Sequence, residues 1–402
     1  MATGPAHSAN LFTDANKNTF QYRLWGGNGN SAAASAGGLK NTDETGGGSS
    51  TRFGNSTKPC IVLVRYATIH VLRKEISWEK RVTNAPAYIL PMGYPGELPI
   101  VRMGSSTDSD TSPMSVGASA MITVGGSSAA QARMNVHLRN IELWGNRDSD
   151  AGGGALIFAP TLIYYHSGIS ANLSSGSIRH CVFRKTQFIR HDDSLKDTYP
   201  HLVDAVWATR SAAYNFSAGV FAECDDFVFD SNYVEPAAKA TWRAKHLNQR
   251  VTRNTFAGVK TNSMIVCGTA TNPTQNLYIA DNHVEVYDKV GIDVFNAQSG
   301  AIIERNRCHD YGNSTYSQEG GGTGFQITNC AGFIVRNNVV FNHETAISGA
   351  IGIAISTTTG TTENGQVYGN IVYRGVIRMD DNSGGGNLTG MEIYNNLCAG
   401  MT

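Results

Sequence analysis

One short pattern recurs nine times along this 402-residue chain: an apolar residue, two variable residues, then one residue in a fixed slot. In seven copies the slot is asparagine, at Asn232, Asn254, Asn282, Asn306, Asn338, Asn370 and Asn396, in segments such as FVFDSNYV, LYIADNHV and FIVRNNVV. Two earlier copies, LRNIEL and IRHCVF, place Ile141 and Cys181 there. Slot-to-slot intervals run 40 and 51, then 22, 28, 24, 32, 32 and 26. A strand-length unit that returns after loops of changing size cannot bury its apolar face alone. It does so by stacking on the next copy, as in a solenoid of parallel strands.

The slot chemistry points to an all-β, right-handed parallel β-helix. Asparagine tolerates the left-handed backbone that a sharp bend between strands needs. Equivalent side chains in stacked coils lie about 4.8 Å apart, so the amides can bond to one another as an Asn ladder. Three residues before each slot stand Leu138, Ile178, Phe229, Val251, Ile279, Ile303, Val335, Val367 and Ile393, apolar in every copy, as an inward column requires. A set of unrelated Asn-rich hairpins is the alternative, and it does not explain nine copies in one register.

Composition limits the function classes. Charged residues are 16% of the chain, and 32 Lys and Arg balance 32 Asp and Glu, so no basic field marks a nucleic-acid partner. No apolar run approaches the ~18 residues of a membrane span. Seven scattered cysteines without a CxxC pair argue against a disulfide framework or zinc cluster and favour folding in a reducing compartment. Cys308 and Cys398, each two after its slot, read as small buried hydrophobes. The start, MATGPAHSANLFTDANKN, lacks the basic-then-apolar pattern of a secretory signal. Either no such export route is used, or a signal has been removed.

Residues 1–58 form a Gly/Ser/Asn-rich linker or attachment segment in which TFQYRLW, ending at Trp25, is a patch able to dock on a neighbour. Residues 59–402 form the solenoid domain, with RKEISWEK at 73–80 expected as a cap helix over its open end. No cap segment follows the last coil strand.

Each coil also carries a second strand 11 to 14 residues before its slot, including GVFAE, ATWRAKHL, SMIVCGT, GIDVFNA, GFQITN and GIAIST. Alternation turns one set inward (Ile292 and Val294, Phe325 and Ile327, Ile353 and Ile355) and the other outward. The outward set is Phe221 and Glu223, Arg243 and Lys245, Ile265 and Cys267, Asp293 and Phe295, Gln326 and Thr328, then Arg378 and Asp380. Its sharpest constellation is Glu223 one coil from Arg243 and Lys245. Such a trio can abstract a proton and hold the resulting anion, or simply pair as surface ions between coils. Long inserts at 191–210 and 309–324 flank this face; the second holds Tyr311 and Tyr316 as sugar-stacking or hydrogen-bonding groups. The His/Asp content of the first matches no metal-ligand spacing, so no metal and no cofactor are assigned.

The turn Tyr94-Pro95-Gly96-Glu97 with Pro99, followed by Ile100 and Val101, and the coil MNVHLRNIELWGN resemble right-handed β-helix carbohydrate-active proteins. These are the pectate-lyase-like superfamily and phage tailspike depolymerases, and the likeness covers residues 86–402. Coil motifs are structural, so a site is implied by this resemblance alone. By that resemblance the polysaccharide would lie in the groove over the outward column, touching Asp293, Gln326, Phe221, Phe295, Tyr311 and Tyr316. Lys245, Arg243 and Glu223 would be the catalytic group: Lys245 the base of a lyase, Arg243 the holder of the uronate carboxylate. Hydrolysis needs carboxylates ~5–10 Å apart; Glu223 and Asp293, about 14 Å apart by the coil rise, are too far, but Glu223 with Asp225 or Asp226 at the following turn is close enough, so a glycoside hydrolase stays open beside a lyase. Three readings stay open. One is a virion tailspike-like receptor-binding depolymerase, expected as a homotrimer. The others are a secreted polysaccharide lyase and a non-enzymatic adhesin or structural β-helix.

Overall fold

The computed structural model describes residues 87–103, 134–144, 175–184, 226–234, 240–256, 274–285, 290–309, 322–342, 350–358, 360–381 and 387–400. It also describes short strands at 21–25, 60–64, 70–72, 76–78, 122–124, 163–165, 220–223 and 263–267. Every regular element among them is a strand, so no described helix is long and apolar enough to cross a membrane. The strands stack into three long parallel sheets. The entry sheet holds twelve strands, from Gln21–Trp25 to Glu392–Tyr394, and includes the strand that leads into each slot. Eleven strands, His70–Leu72 to Leu397–Ala399, make the exit sheet, which includes the strand that leaves each slot. A long sheet carries the second strand of each coil, from Ile76–Trp78 to Val376–Asp381. Entry, exit and long strands succeed one another, each pairing with its equivalent in the next coil, as in Val251↔Ile279, Phe256↔Val284 and Ile292↔Phe325. This is a parallel β-helix, right-handed as crossovers between parallel strands of one sheet are.

The stack reaches further toward the N-terminus than the repeat alone indicates. Gln21–Trp25 pairs with Cys60–Val64, and Cys60–Val64 with Ala87–Gly93. The expected cap helix at 73–80 is instead strand Ile76–Trp78, paired with Ile122–Val124. Ile76 and Trp78 flank Ser77 with strand period, and the offer of an unpaired sheet edge outweighs weak helical propensity.

The ladder is continuous. Each Nδ2 donates to the Oδ1 of the next slot: Asn232 to Asn254 at 3.0 Å, Asn254 to Asn282 at 2.9 Å, Asn282 to Asn306 at 2.9 Å, and on through Asn338 and Asn370 to Asn396. The same Oδ1 accepts the backbone N–H of the preceding slot, beginning with Cys181 to Asn232 at 2.9 Å. The second Nδ2 proton goes to the carbonyl three before the preceding slot, as in Asn306 to Ile279. Two donors and two acceptor sites are thereby filled in each interior amide. Asn254, Asn282, Asn306 and Asn338 are buried to 1% exposure or less, which an unfilled amide would not tolerate.

The bend itself falls one residue earlier than expected. The slot asparagines are not left-handed; the residues before them are, including Arg253 (φ 55°), Asp281 (58°), Arg305 (55°) and Asn337 (56°). The amide is needed for its bonds, and the strain goes to its neighbour. A second corner lies six residues before the slot: Asp226, Asn248, Asn276, Gly300, Gly332, Asn364 and Gly390 all have positive φ.

Inward columns fill the tube. Leu138, Ile178, Phe229, Val251, Ile279, Ile303, Val335 and Val367 are buried, as are Phe256, Val284, Cys308, Val340 and Val372 two after the slot. In the last described coil, Ile393 is 39% exposed and Cys398 is exposed, so Cys398 is not the buried hydrophobe expected. Large and small residues alternate where coils would collide. A Cβ on Gly365 would overlap Cζ of Phe333 in the coil below.

Stability should respond at both features. Asn306→Leu removes four buried hydrogen bonds and is expected to cost about 2–4 kcal/mol by chemical denaturation, with Asn396→Leu in the last described coil costing clearly less. Gly365→Ala is expected to cost about 1–3 kcal/mol through overpacking against Phe333. Equal losses at Asn306 and Asn396 would show that the ladder adds nothing beyond local contacts.

Candidate functional site

The strand register decides which side chains share a column on the outer face of the long sheet. Phe221 pairs with Arg243, Arg243 with Val266, Val266 with Asp293, Asp293 with Gln326, Gln326 with Ala354 and Ala354 with Arg378. Two residues along each strand lies a parallel column: Glu223 pairs with Lys245, and further on Phe295, Thr328, Ser356 and Asp380 succeed one another. Thr328, expected to face outward, is fully buried, Ser356 is buried beside it, and their hydroxyls bond to each other at 2.9 Å, so this stretch of the column is covered. The expected outward pair Ile265 and Cys267 is corrected here. Ile265 aligns with Trp242 and Ile292, and Cys267 with Ala244 and Val294, both inward registers. A one-residue shift swaps faces in a strand, so Val266 takes the outward place.

Of the expected site residues, the register therefore brings Glu223 beside Lys245, Phe221 beside Arg243, and Asp293 beside Gln326. For Phe221, Glu223, Arg243 and Lys245 the description extends to strand register alone. Tyr311, Tyr316 and the insert at 191–210 lie outside the described residues. Asp293, Phe295 and Gln326 are half-buried. Arg378 and Asp380 form an exposed ion pair within one strand.

Beside these columns the chain builds a polar cleft that strand alternation did not reveal. Asn296 follows Phe295 and Asn329 follows Thr328, and both turn in left-handed geometry (φ 56° and 52°). With Gln298, Ala331, Gly360, Thr361 and Glu363 they line an open cleft of about 570 Å³. Its wall is braced: Thr358 N–H donates to Asn329 Oδ1 at 2.9 Å, and Asn329 Nδ2 donates to Thr358 Oγ1 at 2.8 Å. Gly360 packs against the Asn329 amide, where a Cβ would sit 3.2 Å from Cγ. Amides, a hydroxyl and one carboxylate present donors and acceptors in a row, suited to a hydroxyl-rich ligand. The sequence signal for this cleft was the asparagine directly after two successive long strands, Asn296 and Asn329.

A second polar constellation sits on the entry sheet and is structural. Glu304, only 5% exposed, accepts from the Tyr278 hydroxyl at 2.7 Å and Arg336 Nε at 2.6 Å, and pairs with Arg305. Arg305 also grips Asp281 at 2.8 and 2.9 Å, and Arg336 reaches the Tyr368 hydroxyl at 3.0 Å. Burial alone would raise the Glu304 pKa. The hydrogen bonds from Tyr278, Arg336 and Arg305 outweigh it and hold the carboxyl below its ordinary value. Both carboxylate oxygens are engaged, so the group clamps four coils together. A depressed carboxylate stabilises the fold above its unfolded-state pKa, and that stability is lost as pH falls through the lower folded-state value. Arg336→Ala is expected to move acid unfolding to higher pH, read as the midpoint of a fluorescence pH titration; an unchanged midpoint would show that the clamp is not coupled to folding.

No family model matches this chain, and no curated protein does. Among solved structures, the A-module of a mannuronan C-5 epimerase from Azotobacter vinelandii aligns with 12% identity and a TM-score of 0.35, over 94% of this chain and 97% of that one. A periplasmic alginate epimerase aligns with 10% identity and a TM-score of 0.37, over 86% and 78%. The Dettilon tailspike protein aligns with 8% identity and a TM-score of 0.34, over 96% and 70%. Values this low add nothing to the fold, which rests on the strand register.

Proposed function

We propose that this β-helix binds an extended polysaccharide along the outer face of its long sheet, in the manner of a tailspike-like receptor-binding depolymerase. One observation carries the reading: Asp293 and Gln326 fall in register in successive coils, with Phe295 on the same face, beside the amide-lined cleft. Equivalent positions recur every ~4.8 Å up the stack, so an extended polymer can meet partners in successive coils. Asp293 and Gln326 supply hydrogen bonds to hydroxyls, and Phe295 offers an aromatic face to apolar sugar edges. Asn296, Gln298, Thr361 and Glu363 extend the polar row.

For cleavage, the pairing of Glu223 with Lys245, beside Arg243, supports β-elimination. Neutral Lys245 would take the C5 proton next to a uronate carboxylate that Arg243 holds, the bidentate guanidinium would stabilise the developing enolate charge, and the C4–O glycosidic bond would then break to leave a C4=C5 double bond, the departing oxygen taking a proton from water. A secreted lyase would use the same residues. A binder without turnover would use them as contacts. Buried free thiols fit a chain that folds in a reducing compartment and acts outside it, on a virion or in the extracellular space. Burial pushes the Cys181 and Cys330 thiols up to about 12, so neither is reactive at neutral pH. A homotrimer is proposed for the assembled form and is checked by molecular mass in solution.

The test is a panel of acidic and neutral polysaccharides, with affinity by calorimetry and cleavage by absorbance of the unsaturated uronate product. Gln326→Ala and Asp293→Ala are each expected to weaken binding by about 1–2 kcal/mol, the scale of hydrogen bonds to a ligand. Lys245→Ala is expected to cut kcat by several orders of magnitude with affinity nearly kept. Unchanged affinity in both Gln326→Ala and Asp293→Ala moves the binding face elsewhere. Binding without cleavage in the unmodified protein leaves the receptor-binding half standing and removes the lyase half.

A further inference from the structure

On the exit sheet, away from the proposed polysaccharide face, two imidazoles from successive coils meet at their tips. His283 lies in strand His283–Glu285 and His309 in strand Arg307–His309, which pair in parallel. The Nε2 atoms are 2.7 Å apart, and the rings stand edge-to-face at 76°. His309 is buried and lies flat on Phe341, ring centroids 5.3 Å apart, so one member of the pair is fixed in place. We propose that His283 and His309 form a two-histidine chelate for a divalent cation that prefers right-angle coordination, copper(II) above all.

The pair lies a small ring rotation from a chelating bite. With metal–nitrogen bonds of about 2.0–2.1 Å, two tetrahedral ligands stand about 3.3 Å apart and two adjacent square-planar ligands about 2.9 Å apart; the 2.7 Å of the metal-free pair is the length of the hydrogen bond between the rings. Copper(II) is the choice because it binds a given nitrogen site more tightly than nickel(II) or zinc(II). In the metal-free pair one ring donates Nε2–H and the other accepts, since two protonated nitrogens cannot face each other at this distance. On binding, the donor ring carries its proton on Nδ1 instead. Both Nε2 lone pairs then reach the cation, and the neutral pair releases no proton.

The surroundings mix one favourable and one unfavourable charge. Glu285 is in register with His309 and adds a carboxylate beside the pair; Arg307 is in register with His283 and opposes a cation. The Arg307 guanidinium lies over the Phe341 ring, 4.8 Å from its centroid. Among the described residues no group of three ligands is present, so water fills the remaining positions.

The experiment titrates copper(II) into the full chain at neutral pH, with calorimetry for affinity and electron paramagnetic resonance for the ligand set. The chain has 11 histidines, so the site is defined by what the variants lose. His283→Gln and His309→Gln are each expected to weaken one copper site by about tenfold or more, a loss that even supporting residues of metal sites produce. The spectrum of that site should show coupling to two imidazole nitrogens, and nickel(II) should outcompete zinc(II). Because His309 packs on Phe341, its variant tests folding along with binding; the half-buried His283 supplies the cleaner substitution. As a second readout, copper(II) should raise the melting temperature of the unmodified protein more than that of His283→Gln, since a ligand stabilises the state that binds it. Copper affinity and melting shift both unchanged in His283→Gln, or a site with one imidazole alone, overturns the proposal. None of these outcomes depends on whether the long-sheet face binds a polysaccharide.

Discussion

The amide column at the asparagine corner is the contact on which the rest of the molecule depends. A parallel coil must turn its backbone inside a crowded interior, and each turn threatens to bury a polar group without a partner. An asparagine in the slot fills all four of its hydrogen-bonding positions with the coils above and below. That arrangement works in one register only, because a slip of one residue would take the amide out of reach and turn the apolar column outward. The left-handed residue before the slot is the cost. Arginine, aspartate and serine all accept it at Arg253, Asp281 and Ser231, although glycine would do so more cheaply.

Fixed register turns outward positions into straight columns, and columns are what a repeating ligand can read. Between the exit strand and the next long strand the sequence varies in length from coil to coil. Corners and inward columns hold the stack, while the long-sheet face and the strand-end cleft carry the proposed recognition. The Glu304 clamp shows that a dense set of charges on such a scaffold can be wholly structural, as both carboxylate oxygens face arginine and tyrosine donors. The outward columns at Asp293 and Gln326 differ in standing beside an open cleft.

Where expectation and structure part, the causes are specific. The repeat predicted the ladder and the inward column position by position, down to Val335 and Val367. It misplaced the bend by one residue, because amino-acid identity reports that asparagine is special without saying whether its backbone or its side chain is used. RKEISWEK has some helical character, yet an adjacent sheet edge recruits Ile76–Trp78 as a strand. Cys398 occupies an inward position and is nevertheless exposed. Ile265 looked outward because Met264, Ile265, Val266 and Cys267 are all apolar, so alternation alone does not choose a face, and only pairing with Ile292 settles the parity.

The sequence by itself determined the parallel β-helix, its ladder and its apolar columns, because these repeat and a repeat announces its own period. Tertiary structure alone decided which outward residues are neighbours, as Asp293 and Gln326 lie 33 residues apart in the chain yet one pairing apart in space. It alone assembled the cleft from Asn296, Asn329 and Glu363, and the imidazole contact of His283 with His309. The physical reason is that loop length between coils carries no periodic signal. Contacts between coils are fixed by backbone pairing across those loops, and they exist only once the stack has formed.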